Sequence, residues 1–185
     1  MKFTSKVLAA SALALASSFA SAGSELTLTP AASVVDVGDT VDLQVHGLAF
    51  LESLIGGGFG ATFAPTVLRL DGVSIAAGWE FQPFGGLTDN ASGTLADASF
   101  NTFFPSVEPP PDYSIATLHF TAIGAGLTDV ALTPSSTFVF ADVFGETPAV
   151  EFGFASVKVN AVPVPAAFGL LLTGLVPLAR RRRGA

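Results

Sequence analysis

Val41-Asp42-Leu43-Gln44-Val45-His46 alternates apolar and polar residues without a break. Successive side chains of an extended chain point to opposite faces. Val41, Leu43 and Val45 therefore share one side, and Asp42, Gln44 and His46 the other. That pattern reads as a strand with one face on a core and one in water. It recurs outward along the chain. Leu26-Thr27-Leu28-Thr29 alternates and stops at Pro30, and Phe59, Ala61 and Phe63 share one face of a later run. Leu95 to Phe100, Ile115 to Ile123, Val130 to Thr133, Phe138 to Ala141 and a long final run from Val150 to Val159 follow. Glycine and proline punctuate the stretch from Ser24 to Ala161, and no long segment has a helical apolar period. The expectation over residues 23–161 is an all-β domain: an antiparallel jelly-roll or immunoglobulin-like β-sandwich of about nine strands.

Gly56-Gly57-Gly58 reads as a permissive loop or bulge. No GKS or GKT helix opening follows it, which argues against a phosphate cradle. Pro109-Pro110-Pro111 offers no ladder donors, so Pro105 to Asp112 is placed as an exposed crossover. The seventeen phenylalanines are expected to supply the core. The chain has no cysteine, which excludes disulfides, thiolate metal sites and a cysteine nucleophile.

Of 185 residues, half are apolar and only 12% are charged, which excludes disorder driven by charge. The net charge of −7 hides a segregation. All fifteen acids lie between Glu25 and Glu151, where Arg69 is the sole cation. Such a surface repels phosphate backbones, so no nucleic-acid partner is expected.

Apart from Lys158, the other cations mark the two ends. Lys2 and Lys6 precede the apolar stretch Val7 to Phe19, and Ala20-Ser21-Ala22 fits the small-x-small cleavage rule. Residues 1–22 therefore read as a signal peptide, with Ala20 and Ala22 recognised by signal peptidase. At the other end, Val162-Pro163-Val164-Pro165 leads into the apolar stretch Ala166 to Ala179 and then Arg180, Arg181, Arg182 and Arg183. As a helix, that stretch would reach about 21 Å against a hydrocarbon core of roughly 30 Å; counted from Val162 it becomes a minimal single transmembrane helix. The arginines would stay cytoplasmic.

The order Pro-x-Pro, short apolar helix, terminal arginine cluster resembles the PEP-CTERM sorting signal, over residues 162–185. The resemblance implies recognition and removal by the membrane enzyme exosortase, in a Gram-negative bacterium with an exopolysaccharide system. Val164 stands where the name-giving glutamate would be.

A second resemblance concerns the domain. Val37-Gly38-Asp39-Thr40-Val41 leads into a strand, and Phe59-Gly60-Ala61-Thr62-Phe63-Ala64-Pro65-Thr66-Val67-Leu68 follows, closed by Val73. Later, Ser114-Ile115-Ala116-Thr117-Leu118-His119-Phe120 precedes Gly126-Leu127-Thr128. This series resembles a cohesin-like domain, which implies a nine-stranded jelly-roll sandwich related to carbohydrate-binding modules. The family's aspartate before the turn proline is replaced by Ala64, and Asp71 to Glu108 matches poorly. Cellulosomal cohesins bind dockerins through a sheet face, but no residue set carrying such a face is legible in this chain.

Candidates for chemistry are few. His46 shares its strand side with Asp42 and Gln44, and His119 with Thr117 and Thr121; both read as standing on solvated faces. No Gly-x-Ser-x-Gly elbow presents a serine for a Ser-His-Asp triad. Glu80, Glu108, Asp112, Glu146 and Glu151 are spread over loops and read as acidic surface rather than a glycosidase pair. No cofactor is implied, although Asp36, Asp39 and Asp42, or Asp71, Asp89 and Asp97, offer oxygens suited to Ca2+. Trp79 offers a ring for glycan stacking, with burial in the core as the competing reading. Asn90-Ala91-Ser92 is formally a glycosylation sequon.

The function expected is non-enzymatic: an exported, exosortase-processed protein whose domain serves adhesion or scaffolding through a sheet face or loops. It would lie in the inner membrane as a precursor, then at the cell surface or in the extracellular matrix. Its membrane contact would be transient, and its partner a polysaccharide or a surface protein. The alternatives are a polysaccharide-binding module, a secreted hydrolase and an unprocessed tail-anchored periplasmic protein.

Overall fold

The computed structural model describes residues 23–162. The signal-peptide residues 1–22, and residues 163–185 of the sorting signal, lie outside the described residues. Among the described residues no helix is long and apolar enough to cross a membrane.

Twelve strands follow one another in the described residues: β1 (Ser24–Thr29), β2 (Ala32–Asp36), β3 (Thr40–Leu48), β4 (Leu54–Thr62), β5 (Leu68–Ile75), β6 (Leu87–Asp89), β7 (Thr94–Asn101), β8 (Asp112–Ala122), β9 (Gly126–Pro134), β10 (Ala141–Asp142), β11 (Val150–Phe152) and β12 (Phe154–Asn160). They form a five-stranded sheet in the order β11-β1-β3-β8-β5 and a seven-stranded sheet in the order β2-β12-β9-β4-β7-β6, with β10 beside β4. The all-β sandwich expected from alternation is therefore present, with more strands than about nine.

The alternating runs bury the predicted sides. Val41, Leu43 and Val45 are buried, as are Phe59, Ala61 and Phe63. Phe59, Phe100 and Phe120 are the largest fully enclosed side chains and join Leu26, Leu43, Leu118 and Val157 between the sheets. Burying each such side chain contributes about 1.5–3 kcal/mol relative to leaving it in water.

Four expectations need correction. The sheets are mixed rather than wholly antiparallel, because β1 pairs with β11, and β2 with β12, in parallel. The run from Val150 to Val159 is two strands divided at Gly153, whose N–H donates to the Leu26 carbonyl while its own carbonyl accepts from Leu132. The chain changes sheet there, just as it does at Pro30-Ala31 between β1 and β2. Gly56-Gly57-Gly58 lies inside β4, paired with Asn101, Phe100 and Ser99 of β7. The glycines are there for space: a Cβ on Gly57 would meet the Phe140 ring at 2.8 Å. Finally, of Phe138 to Ala141 only Ala141 is in a strand.

The crossover keeps its expected place: β7 ends at Asn101 and β8 begins at Asp112, so the triple proline lies between strands. The turn at Ala64 is held without the missing aspartate. Its amide donates to Thr128 Oγ1 at 3.0 Å, and its carbonyl accepts from Val67 and Leu68.

Candidate functional site

Among the described residues, most phenylalanines fall into two settings. Phe59, Phe63, Phe100, Phe120 and Phe140 are buried, whereas Phe84, Phe103, Phe104, Phe138, Phe144 and Phe154 are exposed. Exposed aromatic side chains gathered in one region mark contact sites more often than singly scattered ones do.

Phe103 and Phe138 lie with the half-buried Phe81 at the end of the seven-stranded sheet where β4 starts and β7 ends. Two adjoining depressions of about 290 and 400 Å³ share Ile55, Phe81 and Asn101. Phe138 and Val139 line the first, and Phe103 and Val143 the second. The rings of Phe81 and Phe103 lie 4.0 Å apart. In the chain, Phe104 (84% exposed) follows Phe103 and Phe144 (72%) follows Val143.

The loop after β9 is fixed over β4 and β7. Asp97 has a left-handed backbone (φ 55°) and aims its carboxylate at this loop. It accepts from Ser135 Oγ at 2.6 Å and from the amides of Ser136 and Thr137. The Ser135 hydroxyl, helped by Thr137 and the two amides, holds the Asp97 carboxyl below the usual carboxylate range, although some desolvation opposes this. Beneath the loop, a Cβ on Gly58 would come within 2.6 Å of Phe138 Cβ. Glycine thus lets Phe138 sit down against the strand.

The outer face of the five-stranded sheet has a different chemistry. The β3–β8 register sets Asp42 opposite His119, and the β8–β5 register sets His119 opposite Gly72. His119 Nδ1 lies 2.8 Å from Asp42 Oδ1, and its Nε2 lies 2.9 Å from Ser74 Oγ. A carboxylate can only accept, so Nδ1 carries the proton and the neutral ring's Nε2 accepts from the Ser74 hydroxyl. His46 Nδ1 likewise meets Asp112 Oδ1 at 2.7 Å. Both histidines are on the solvated side expected for them, each bound to a carboxylate of the neighbouring strand.

Trp79 is a core residue, 5% exposed. Its indole N–H donates to the Ser114 carbonyl at 2.9 Å, and its ring packs on Phe100 and Tyr113. This corrects the glycan-stacking expectation: the ring presents no flat face to a sugar. Asn90 of the sequon is engaged too, accepting from the Leu70 amide and donating to the Leu70 carbonyl as a neighbouring strand would.

The nominated calcium carboxylates do not converge. Asp39 accepts from the Asp36 amide, Asp71 from Arg69 and Thr121, and Asp89 from Ala91 and Ser92. Among the described residues, no three Asp, Glu or His side chains come together as ligands for a metal ion. Of the nominated acid pair residues, Glu80 accepts from Thr102 and Asp112 pairs with His46.

The exposed aromatics and Ser74 were missed in the sequence. Phe103-Phe104 and Val143-Phe144 carry a usable signal, since each apolar pair stands outside the alternating runs. Ser74 carries none, because its meaning lies wholly in strand register.

No family model matches the chain, and no curated protein matches it. Solved structures do. A cohesin module of a family 33 glycoside hydrolase from Clostridium perfringens is 12% identical, with 76% of this chain and 98% of that one covered and a TM-score of 0.60. A non-cellulosomal cohesin from the archaeon Archaeoglobus fulgidus is 11% identical, with 80% and 97% covered and a TM-score of 0.57. A type I cohesin–dockerin complex from Clostridium thermocellum gives 12%, 75%, 99% and 0.56. The domain therefore has a cohesin-like fold. The quoted motifs implied a β-sandwich, and one is observed, with twelve strands rather than nine among the described residues.

Proposed function

We propose that the cohesin-like domain is an adhesion or scaffolding module of an exported protein. In this reading it binds a protein partner through the apolar surface around Phe81, Phe103, Phe138 and Val143. The observation that carries the reading is that surface: exposed aromatic side chains around two depressions, with the overlying loop pinned by Asp97. The described residues hold fifteen acids against Arg69 and Lys158, so the partner that fits has a basic or neutral contact face. One solved neighbour of the same fold is itself a cohesin–dockerin complex.

The ends carry the rest of the proposal. Signal peptidase would release the chain after Ala22. Exosortase would act at Val162-Pro163-Val164-Pro165, with Arg180 to Arg183 held at the cytoplasmic face. The product would join the cell surface or the matrix. Intact mass of the protein from each fraction of its own host tests this part. A species from near Gly23 to near Pro165 outside the inner membrane is expected. A membrane-held species keeping Arg180 to Arg183 would overturn sorting.

The binding part is tested with the full chain and its Phe103→Asp/Val139→Asp double variant, both exposed sites. Wild-type protein should bind saturably to the isolated cell-surface protein fraction, and the variant about tenfold or more weakly, the loss expected for central apolar contacts. Equal binding by both would overturn the assignment of this surface.

A further inference from the structure

We propose that Ser74, His119 and Asp42 form an acyl-ester hydrolysing centre on the outer face of the five-stranded sheet. This activity is separate from the apolar surface on the other sheet and does not rest on it. A serine hydroxyl is a weak nucleophile unless an adjacent base takes its proton and a third group orients that base. Three neighbouring strands supply those parts. Ser74 Oγ of β5 is 2.9 Å from His119 Nε2 of β8, and His119 Nδ1 is 2.8 Å from Asp42 Oδ1 of β3. Both distances are within catalytic hydrogen-bond reach. Asp42 is the positioning residue, holding the tautomer whose Nε2 accepts. Thr117 lies directly opposite Ser74 in the β5–β8 register and supplies a hydroxyl donor in the nucleophile's own row.

The chemistry closes without a cofactor. Ser74 Oγ forms a bond to the acyl carbon as its proton passes to Nε2. The ester C–O bond breaks, and the leaving alkoxide takes the proton from His119. Water then attacks the acyl-serine, gives its proton to Nε2 and releases the carboxylic acid, and His119 returns the proton to Ser74 Oγ.

The surroundings define the substrate. The side chains of His119 and Asp42 are 38% and 62% exposed, so the face is open and offers no deep acyl pocket. An acetyl-sized group is the acyl part that needs none. Asp42, Asp71 and Asp112 disfavour an anionic ester. The substrate class is therefore a short-chain acyl ester on a hydroxyl of a neutral molecule.

The test uses the purified full chain, a fluorophosphonate reagent and p-nitrophenyl acetate. Mass spectrometry should find one phosphonyl group on Ser74, with fluoride released. The labelling rate and the ester kcat/KM should both fall about 10²-fold in His119→Gln and in Asp42→Asn, the scale of a lost general base. Asp42→Asn discriminates most sharply. It keeps the shape and can still bond to Nδ1, but its amide favours the tautomer with a proton on Nε2. A purely structural network would leave reactivity unmoved by that change. Thermal melting shows whether each variant remains folded. No label on Ser74, or equal labelling in folded Asp42→Asn, would overturn the proposal.

Discussion

Ser135 donates its hydroxyl to Asp97 at 2.6 Å, across 38 residues of chain. Asp97 also receives the Ser136 and Thr137 amides, so one carboxylate holds the whole turn after β9. Its pKa is lowered, chiefly by Ser135. A depressed carboxylate stabilises the fold above its unfolded value and loses that contribution as pH falls through the lower folded value. The loop should therefore loosen from about pH 4 downward, not near neutrality. Amide chemical shifts of Ser136 and Thr137, followed by NMR through the acid range, should move together with the Asp97 carboxyl. In Asp97→Ala they should already have loop-like values at neutral pH.

Gly58→Ala should destabilise the domain by about 1–3 kcal/mol, the usual penalty of overpacking. The added Cβ would meet Phe138 Cβ at 2.6 Å and the Ala98 carbonyl at 2.9 Å, and a carbonyl of the paired strand does not give easily. Urea denaturation of the variant measures this. Unchanged stability would mean that the glycine run is loop-like after all.

Trp79→Ala should cost about 3–5 kcal/mol, as large aromatic truncations in a core do. Trp79→Phe should cost less, keeping most of the packing while losing the bond to Ser114. As the chain's only tryptophan, Trp79 also reports on itself. Its native emission should be blue-shifted and poorly quenched by iodide, and both properties should vanish on unfolding.

Thr128→Val should cost about 1–3 kcal/mol, because it leaves the Ala64 amide without its acceptor in a nearly closed site. Thr128→Ser, which retains the oxygen, should recover most of that loss. Thermal melts of both variants make the comparison.

The fold was largely legible because its central strands have one wet and one dry side. Val41 to His46 declared both sides at once. The Gly56-Gly57-Gly58 run did not, since a residue without a side chain gives no face to read. Gly153 hid in the same way, inside a run whose two halves each alternate while belonging to different sheets. The outward sides of His46 and His119 were readable, but their partners were not. Whether Asp42 or Asp112 meets a given ring depends on the pairing of β3 with β8, and no local pattern encodes that. Trp79 was open to two readings because an indole is both a platform and a core filler. The Phe103 region was misread for a simpler reason: phenylalanine counts alone do not say which rings fall in loops outside the strands.

The paired sheet changes at Pro30-Ala31 and Gly153 bear on how the chain reaches this structure. Ser24 is matched with Val150, and Asn160 with Asp36, so β2 has no neighbour, and β1 only β3, until the last strands exist. Closing such a long loop loses chain entropy before any native contact repays it. Folding should therefore be slow for a domain of this size, in the millisecond-to-second range typical of sandwiches built from distant pairings. A nascent chain lacking residues 150–160 would have β2 without β12 and β1 without β11. Synthesis order thus works as a timer: one edge of each sheet stays open until residues 150–160 are made, and only then does it close.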